Sequence, residues 1–306
     1  KDKMLESVLE KIPGLLSWMI LIGIFSLIFI RPFWGAIFII LFELYWLIRL
    51  LYMTVVLILG YLSFEIEKRN DWLGLCKLLS KLRVKKFSEE LNKNMDSYLI
   101  NTFSPDIKIK ERFGNFLYYL MYAHRLSQFK KRVKSESDIL NWEDIYHVVI
   151  FPVVNEKRKI LRDSLEALAK VHYPRHKFIV LIAVEERGGE YYINSIRDLV
   201  EEFKNYFFHC EYITHPDKMP GETRVKGANI TYAAKKIKGF LEKKNIDFEK
   251  AIVSTFDSDT RAGADYFACL TYHYIINKDR ARRSYQPIPI YDNNIWEVPS
   301  FSRVME

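Results

Sequence analysis

The stretch YHVVIFPVV, residues Tyr146–Val154, decides the fold class of this 306-residue chain. It is an uncharged run rich in β-branched residues, which is typical of a strand buried on both faces. A helical pattern follows at Lys157–Ala169, and a second apolar run, KFIVLIAV, occupies Lys177–Val184. Strands that alternate with helices predict βαβ units and a mainly parallel sheet.

The alternation continues towards the carboxyl terminus. We predict a helix, a weaker strand, a helix, a strand and a helix at 191–207, 210–214, 229–241, 251–256 and 264–276. The chain is therefore predicted to have an α/β fold with a mainly parallel sheet and flanking helices. Such sheets bind ligands beyond the carboxyl ends of their strands, so the polar residues that follow each strand are the candidates for a site.

Acidic or amide residues follow three of the predicted strands, and we expect them to converge on one edge of the sheet. A solvated turn would explain any one of them. Two carboxylates that are one residue apart, directly after an apolar strand, can also hold Mg²⁺ or Mn²⁺ and leave positions for substrate phosphates. The three groups are Asn155-Glu156, Glu185-Glu186 and Asp257-Ser258-Asp259.

The amino-terminal part has a much more apolar composition, because Gly14–Leu62 contains only three charged residues in 49 positions. Arg31-Pro32 divides it into two long apolar runs. About 20 residues of helix cross a bilayer, so residues 1–63 are predicted to form a transmembrane hairpin with spans at about 13–31 and 33–62. A cleaved signal peptide is the alternative for the first run, but no small-x-small cleavage site is present and a second run follows at once.

Two charged residues, Glu43 and Arg49, lie inside the second run. A charge at membrane depth is costly, so these side chains are expected to face protein rather than lipid. Either Arg49 extends to the membrane interface, or the pair marks helix packing or a translocation path. The sequence leaves both interpretations open.

The segment Lys68–Lys86 contains seven basic residues and one acidic residue, a net charge of +6 within a chain of +8. The positive-inside rule places this end, and everything after it, in the cytosol. Residues 64–145 are interpreted as a basic, helical connector. Apolar residues at helical spacing predict either a helix resting on anionic headgroups or a simple packing helix (Trp72, Leu75, Leu78, Leu79 and Leu82). Because the basic residues follow a membrane span, nucleic-acid binding is not expected.

Five motifs in order make the carboxyl-terminal half recognisable. It resembles the processive membrane glycosyltransferases of glycosyltransferase family 2, the group of cellulose and hyaluronan synthases. The resemblance covers about 146–306 and implies a GT-A-type catalytic domain that is incomplete and contains the donor-binding part. The motifs are VVIFPVVNE (148–156), LIAVEER (181–187), MPGETRVKGANITYA (219–233), VSTFDSDT (253–260) and SYQPIP (284–289), where a Q-x-P strand is expected.

The resemblance implies a role for each matching residue. Glu185 or Glu186 stands where the family has a base-reading Asp, which leaves the base open. Lys226-Gly227, expected in a loop before a helix, also suits phosphate by its charge and its backbone N–H groups. Asp257 and Asp259 are the implied metal ligands. The implied substrate-binding residues are Pro152, Asn155, Glu156, Glu185, Glu186, Lys226, Asn229, Asp257 and Gln286.

The activity implied is metal-dependent, inverting transfer of a sugar from a nucleotide sugar, with UDP expected, to a polysaccharide or lipid-linked acceptor. We expect Mg²⁺ or Mn²⁺ as cofactor and a bacterial-type inner or plasma membrane location with the catalytic domain in the cytosol. The family's catalytic base and its Q-x-x-R-W motif follow the Q-x-P strand and are expected beyond Glu306, so the chain is expected to be a fragment. A membrane nucleotidyltransferase and a non-catalytic nucleotide-binding or scaffolding protein remain alternatives.

Overall fold

The structure is a computed structural model, and it divides into two compact units, Lys1–Glu65 and Ile66–Glu306. Each unit is described by itself. The residues that the structure describes are 2–68, 70–82, 120–121, 123–125, 127–129, 131–132, 139–222 and 224–287.

The first unit is built from two helices, α1 (Asp2–Ile30) and α2 (Pro32–Glu67), and α2 ends in the second unit. Pro32 begins α2, a position where its missing N–H leaves no hydrogen bond unmade. Both helices are long and apolar enough to cross a membrane. They meet closely beside the turn, because a Cβ atom on Gly35 would lie 2.9 Å from the Cα atom of Ile28.

The two charged side chains of the apolar part of α2 have different surroundings. The guanidinium of Arg49 donates to the hydroxyl of Tyr45 at 3.3 Å and lies 5.2 Å from the ring centre of Trp46. Its polar groups are thus held by its own helix. Glu43 is exposed on the helix surface. These contacts do not choose between the two interpretations of the pair.

The second unit contains a four-stranded sheet of β1 (Tyr146–Val153), β2 (Phe178–Glu185), β3 (His209–His215) and β4 (Ala251–Thr255). The strand order is β3-β2-β1-β4, and every pair is parallel. The predicted α/β class and the parallel sheet are confirmed. The weaker third strand is also present, two residues longer than predicted.

Helices cover both faces of the sheet. The described helices of this unit are α3 (Trp72–Leu82), α4 (Arg158–Ala169), α5 (Glu190–Phe203), α6 (Lys226–Lys243) and α7 (Tyr266–Ile276). On one face, Val149 and Phe151 of β1 join a large core with α3, α4, α5 and α7. On the other face, Val148 and Ile150 pack against α6. Successive strand residues point to opposite faces, so β1 is buried from both sides.

Helix α3 corrects one of the two interpretations of the basic segment. Its apolar residues Trp72, Leu75 and Leu79 are at most 2% exposed and belong to the protein core. Trp72 packs on Tyr272 of α7 with ring centres 5.3 Å apart. This apolar face is therefore not available to lipid headgroups, and α3 is a packing helix. Much of the predicted 64–145 connector lies outside the described residues.

The predicted Q-x-P strand is not formed in the part of that motif that the structure describes. Ser284–Pro287 has no regular secondary structure, and Gln286 is exposed. Pro287 has no N–H to donate to a sheet ladder, which disfavours a strand at this point. Residues 288–306 lie outside the described residues.

Candidate functional site

The carboxyl ends of all four strands lie at one edge of the sheet, as the parallel pairing requires. The chain adds β2 and β3 on one side of β1 and then returns to place β4 on the other side. The strand order therefore reverses between β1 and β4, and the ends of these two strands are the usual ligand position in open parallel sheets. The predicted convergence of the three acidic groups on one edge is confirmed.

Pro152 keeps the ends of β1 and β4 apart. The β1–β4 ladder ends where Ile150 pairs with Thr255, and the carbonyl oxygen of Ile150 accepts a hydrogen bond from the N–H of Phe256 at 3.0 Å. Pro152 is two residues further along the same strand, so its nitrogen faces the same side and has no hydrogen to donate. It is buried within β1 rather than presented at the surface of the edge.

Glu156 shapes the turn after β1. Its carboxylate accepts hydrogen bonds from the N–H groups of Val154 and Asn155 at 2.7 and 3.1 Å, and the hydroxyl of Tyr192 lies 3.5 Å away. Burial, together with the nearby Glu156 charge, raises the pKa of Tyr192. Glu156 thus holds the backbone, while the Asn155 side chain is exposed at the edge.

Two glycines allow the turn after β2 to pack against the end of β1. A Cβ atom on Gly188 would lie 2.0 Å from the carbonyl oxygen of Val154. Gly189 has φ +86° and ψ 160°, a combination that is nearly restricted to glycine. The close approach of the β1 and β2 ends thus depends on the missing side chain of Gly188, and the path of the turn depends on the backbone conformation of Gly189.

The Asp257-Ser258-Asp259 motif follows β4 with exposed acidic side chains and a fixed backbone. Ser164 of α4 donates its hydroxyl to the carbonyl oxygen of Ser258 at 2.8 Å. The N–H of Thr260 donates to the carbonyl oxygen of Asp257 at 3.0 Å. Both carboxylates therefore extend from an anchored turn beside the carboxyl end of β4.

Lys226 contacts this motif directly, since its ammonium group forms an ion pair with Asp257. Lys226 is the first residue of α6 and does not lie in the loop that we predicted before the helix. Gly227 weakens the helical signal in the sequence, which explains the late predicted start. Val225 gives the helix no side-chain cap, and the amino-terminal end of a helix carries unpaired N–H groups and the positive end of the dipole.

Asn229, in the first turn of α6, is 1% exposed. Its amide nitrogen donates to the carbonyl oxygen of Ala183 in β2 at 2.7 Å. Its side-chain oxygen has no hydrogen-bond partner among the residues that the structure describes. Asn229 therefore fastens the beginning of α6 to the end of β2, which keeps Lys226 beside the edge.

A small pocket, open to solvent, lies over the ends of β2 and β3. Ion pairs line it: Arg187 with Glu185 at 2.5 Å, Arg224 with Asp217 at 2.8 Å, and His215 with Glu222 at 3.0 Å. The carboxylate of Glu186 accepts the N–H of Asp217 at 2.8 Å. Glu185 and Glu186, two of the predicted site residues, thus lie in this pocket and are already engaged by protein donors.

Sequence reasoning missed the pocket residues that belong to β3 and the following turn. His215 ends β3, and Asp217 follows two residues later. Polar residues after a strand are the signal for them, but the third strand is weaker in the sequence than the other three, which hides this signal. Arg187 and Arg224 gave no signal of their own, because a single arginine in a turn is common.

The carboxylates of Asp257 and Asp259 suit a hard divalent cation that takes its other ligands from water and phosphate oxygens. In the described part of the chain, no group of three or more His, Cys, Asp or Glu side chains is placed to hold an ion. A protein cage is thus not formed there, whereas a site with two protein carboxylates fits the residues present. The cation itself stays a prediction.

The chain matches no protein-family model and no curated protein. The resemblance to family 2 glycosyltransferases therefore rests on the five motifs alone and stays a prediction. The parallel α/β sheet and the two apolar helices stand independently of it.

Proposed function

We propose that this chain is a membrane-bound glycosyltransferase that takes a sugar from a nucleotide sugar, with UDP as the expected nucleotide. The acceptor is a polysaccharide or a lipid-linked saccharide. One observation carries the proposal: Asp257-Ser258-Asp259 follows β4 at the topological switch point, with Lys226 in contact. Carboxylates beside a cation and a helix N-terminus suit a diphosphate with its metal ion.

The residues at the carboxyl ends of the strands each have a binding role in this proposal. Lys226 and the first N–H groups of α6 hold the diphosphate, and Asn155 and the pocket at Glu185 hold the nucleoside. Asp257 and Asp259 hold Mg²⁺ or Mn²⁺, which neutralises the departing nucleoside diphosphate when it is bound. An acceptor hydroxyl displaces the nucleoside diphosphate directly from the anomeric carbon, which inverts the configuration at that carbon.

The membrane part of the proposal rests on α1 and α2, which are long and apolar enough to cross a bilayer. A cytosolic catalytic domain agrees with the +6 charge of Lys68–Lys86, since positive segments remain on the cytosolic side. The proposed location is a bacterial-type inner or plasma membrane. Contact of exposed Lys77 and Lys81 with anionic lipid remains part of this proposal.

Calorimetry on the detergent-solubilised chain tests the proposal, with UDP-sugars titrated in the presence and absence of Mn²⁺. We expect binding that depends on Mn²⁺ and that Asp257→Asn and Asp259→Asn each weaken at least tenfold. A tenfold loss corresponds to about 1.4 kcal/mol, which is the size expected when one charge-assisted contact is removed. The control is Asp198→Asn, an exposed carboxylate of α5. Equal binding by all four proteins would show that the motif is not the site.

A transfer assay then separates the reaction classes. A glycosyltransferase releases UDP from a labelled UDP-sugar. A nucleotidyltransferase releases pyrophosphate from a nucleoside triphosphate. Binding of nucleotide without either product would support a non-catalytic role.

A further inference from the structure

The ion pair between Lys226 and Asp257 occupies a carboxylate that the proposed function assigns to a metal ion. We infer that Lys226 and the divalent cation compete for Asp257, and that the nucleotide diphosphate removes Lys226 from this carboxylate. Metal and nucleotide would then bind with positive cooperativity. This inference rests on the proposed function and concerns the order and coupling of binding, which the resemblance does not supply.

The backbone around both partners is anchored, so the exchange involves side chains only. Asn229 fastens the first turn of α6 to Ala183, and Ser164 fixes the carbonyl group of Ser258. Lys226 has a long, flexible side chain at the surface of this anchored turn. Its ammonium can leave Asp257 for a phosphate oxygen without any movement of α6.

The pair is weak enough to be exchanged. The Lys226 and Asp257 side chains are 53% and 65% exposed. Exposed ion pairs contribute little because water screens them and two flexible side chains must be ordered. A divalent cation carries twice the charge of the ammonium and binds carboxylate oxygen directly. The pair therefore lowers the affinity for metal alone without preventing metal binding.

The coupling follows from linkage. Without nucleotide, the metal must displace Lys226 from Asp257. With the diphosphate bound, the ammonium group of Lys226 pairs with the negatively charged phosphate oxygens. The carboxylate of Asp257 is then no longer paired with Lys226 when the metal arrives. Thermodynamic reciprocity requires that the metal raise the nucleotide affinity by the same factor.

The test measures Mn²⁺ binding to the detergent-solubilised chain by the electron paramagnetic resonance of free Mn²⁺, with and without UDP. The Mn²⁺–UDP complex that forms in solution is measured separately. We expect Lys226→Met to bind Mn²⁺ alone about two- to fivefold more tightly than wild type, the range of one exposed ion pair. The factor by which UDP raises the Mn²⁺ affinity should fall correspondingly.

Two controls separate competition from a general effect of charge. Lys235→Met removes one exposed charge from the same helix and should leave the affinity for Mn²⁺ unchanged. Lys226→Arg keeps a cation that can pair with Asp257 and should resemble wild type. An unchanged or weaker Mn²⁺ affinity in Lys226→Met would overturn the inference, as would an equal gain in Lys235→Met.

The binding data separate a failure of the proposed function from a failure of the competition. If wild type binds neither Mn²⁺ nor UDP, the proposed function is wrong and the competition falls with it. If both bind, and Asp257→Asn weakens Mn²⁺ binding while Lys226→Met changes nothing, only the competition is wrong.

Discussion

Replacing Gly188 by alanine should destabilise the second unit through a single steric contact. The new Cβ atom would lie 2.0 Å from the carbonyl oxygen of Val154, whereas ordinary contact begins at 3.4 Å. One of the two turns must therefore move by about 1.4 Å, and forced repacking of this kind costs about 1–3 kcal/mol. Gly188 does not have a positive φ, so the cost is steric and not conformational.

The assay is urea unfolding of the detergent-solubilised chain, followed by near-ultraviolet circular dichroism. Gly188→Ala should lower the midpoint with an unchanged slope, which is the sign of lost stability in the same folded state. Gly239→Ala is the matched control, because in the described part of the chain no atom outside the local helix backbone lies within 4 Å of its Cβ position in α6. A helix interior favours alanine over glycine by about 0.5–1 kcal/mol, so this variant should be more stable.

The displacement should also reach the candidate site. Glu156 binds the N–H groups of Val154 and Asn155, so movement of Val154 alters the turn after β1. Gly188→Ala should therefore bind UDP more weakly than Gly239→Ala does. Equal urea midpoints for the two variants would refute the close approach of the β1 and β2 ends.

Two further predictions concern other buried polar groups. Burial lowers the pKa of His147 to about 3, so below pH 6.5 the unfolded state binds one more proton than the native state. The free energy of unfolding should then fall by up to about 1.4 kcal/mol per pH unit from pH 6.5 towards 3. Urea midpoints measured across this range check the prediction, and His147→Phe should remove this part of the pH dependence. Ser164→Ala leaves the Ser258 carbonyl without its hydroxyl donor, which should cost about 1 kcal/mol in the same unfolding assay and weaken Mn²⁺ binding in resonance titrations. If the Ser164→Ala variant binds Mn²⁺ as tightly as wild type, this hydrogen bond does not position the Asp257-Ser258-Asp259 motif.

The parts of the fold that follow from periodicity could be predicted from the sequence. Tyr146–Val153 and Phe178–Glu185 are continuous apolar strands, and the helices between strands show a clear 3.6-residue repeat. Their position in a parallel sheet then places the strand ends on one edge. The Asp257-Ser258-Asp259 motif was found by this reasoning.

Other features depend on contacts between distant segments, which local patterns do not contain. Helix α3 has the same amphipathic pattern whether its partner is lipid or protein, and only its packing on α7 decides. The Lys226–Asp257 pair joins residues 31 positions apart. Gly188 is recognisable as essential only once Val154 is known to lie beside it.

The strand order has a consequence for the growing polypeptide on the ribosome. Tyr146 in β1 pairs with Ala251 in β4, which is synthesised 105 residues later. At about 5–20 residues per second, that interval lasts roughly 5–20 seconds. During it, one hydrogen-bonding edge of β1, a strand buried on both faces in the folded protein, lacks its β4 partner. Misassembly of the nascent chain is therefore concentrated in a defined window, which closes when β4 emerges.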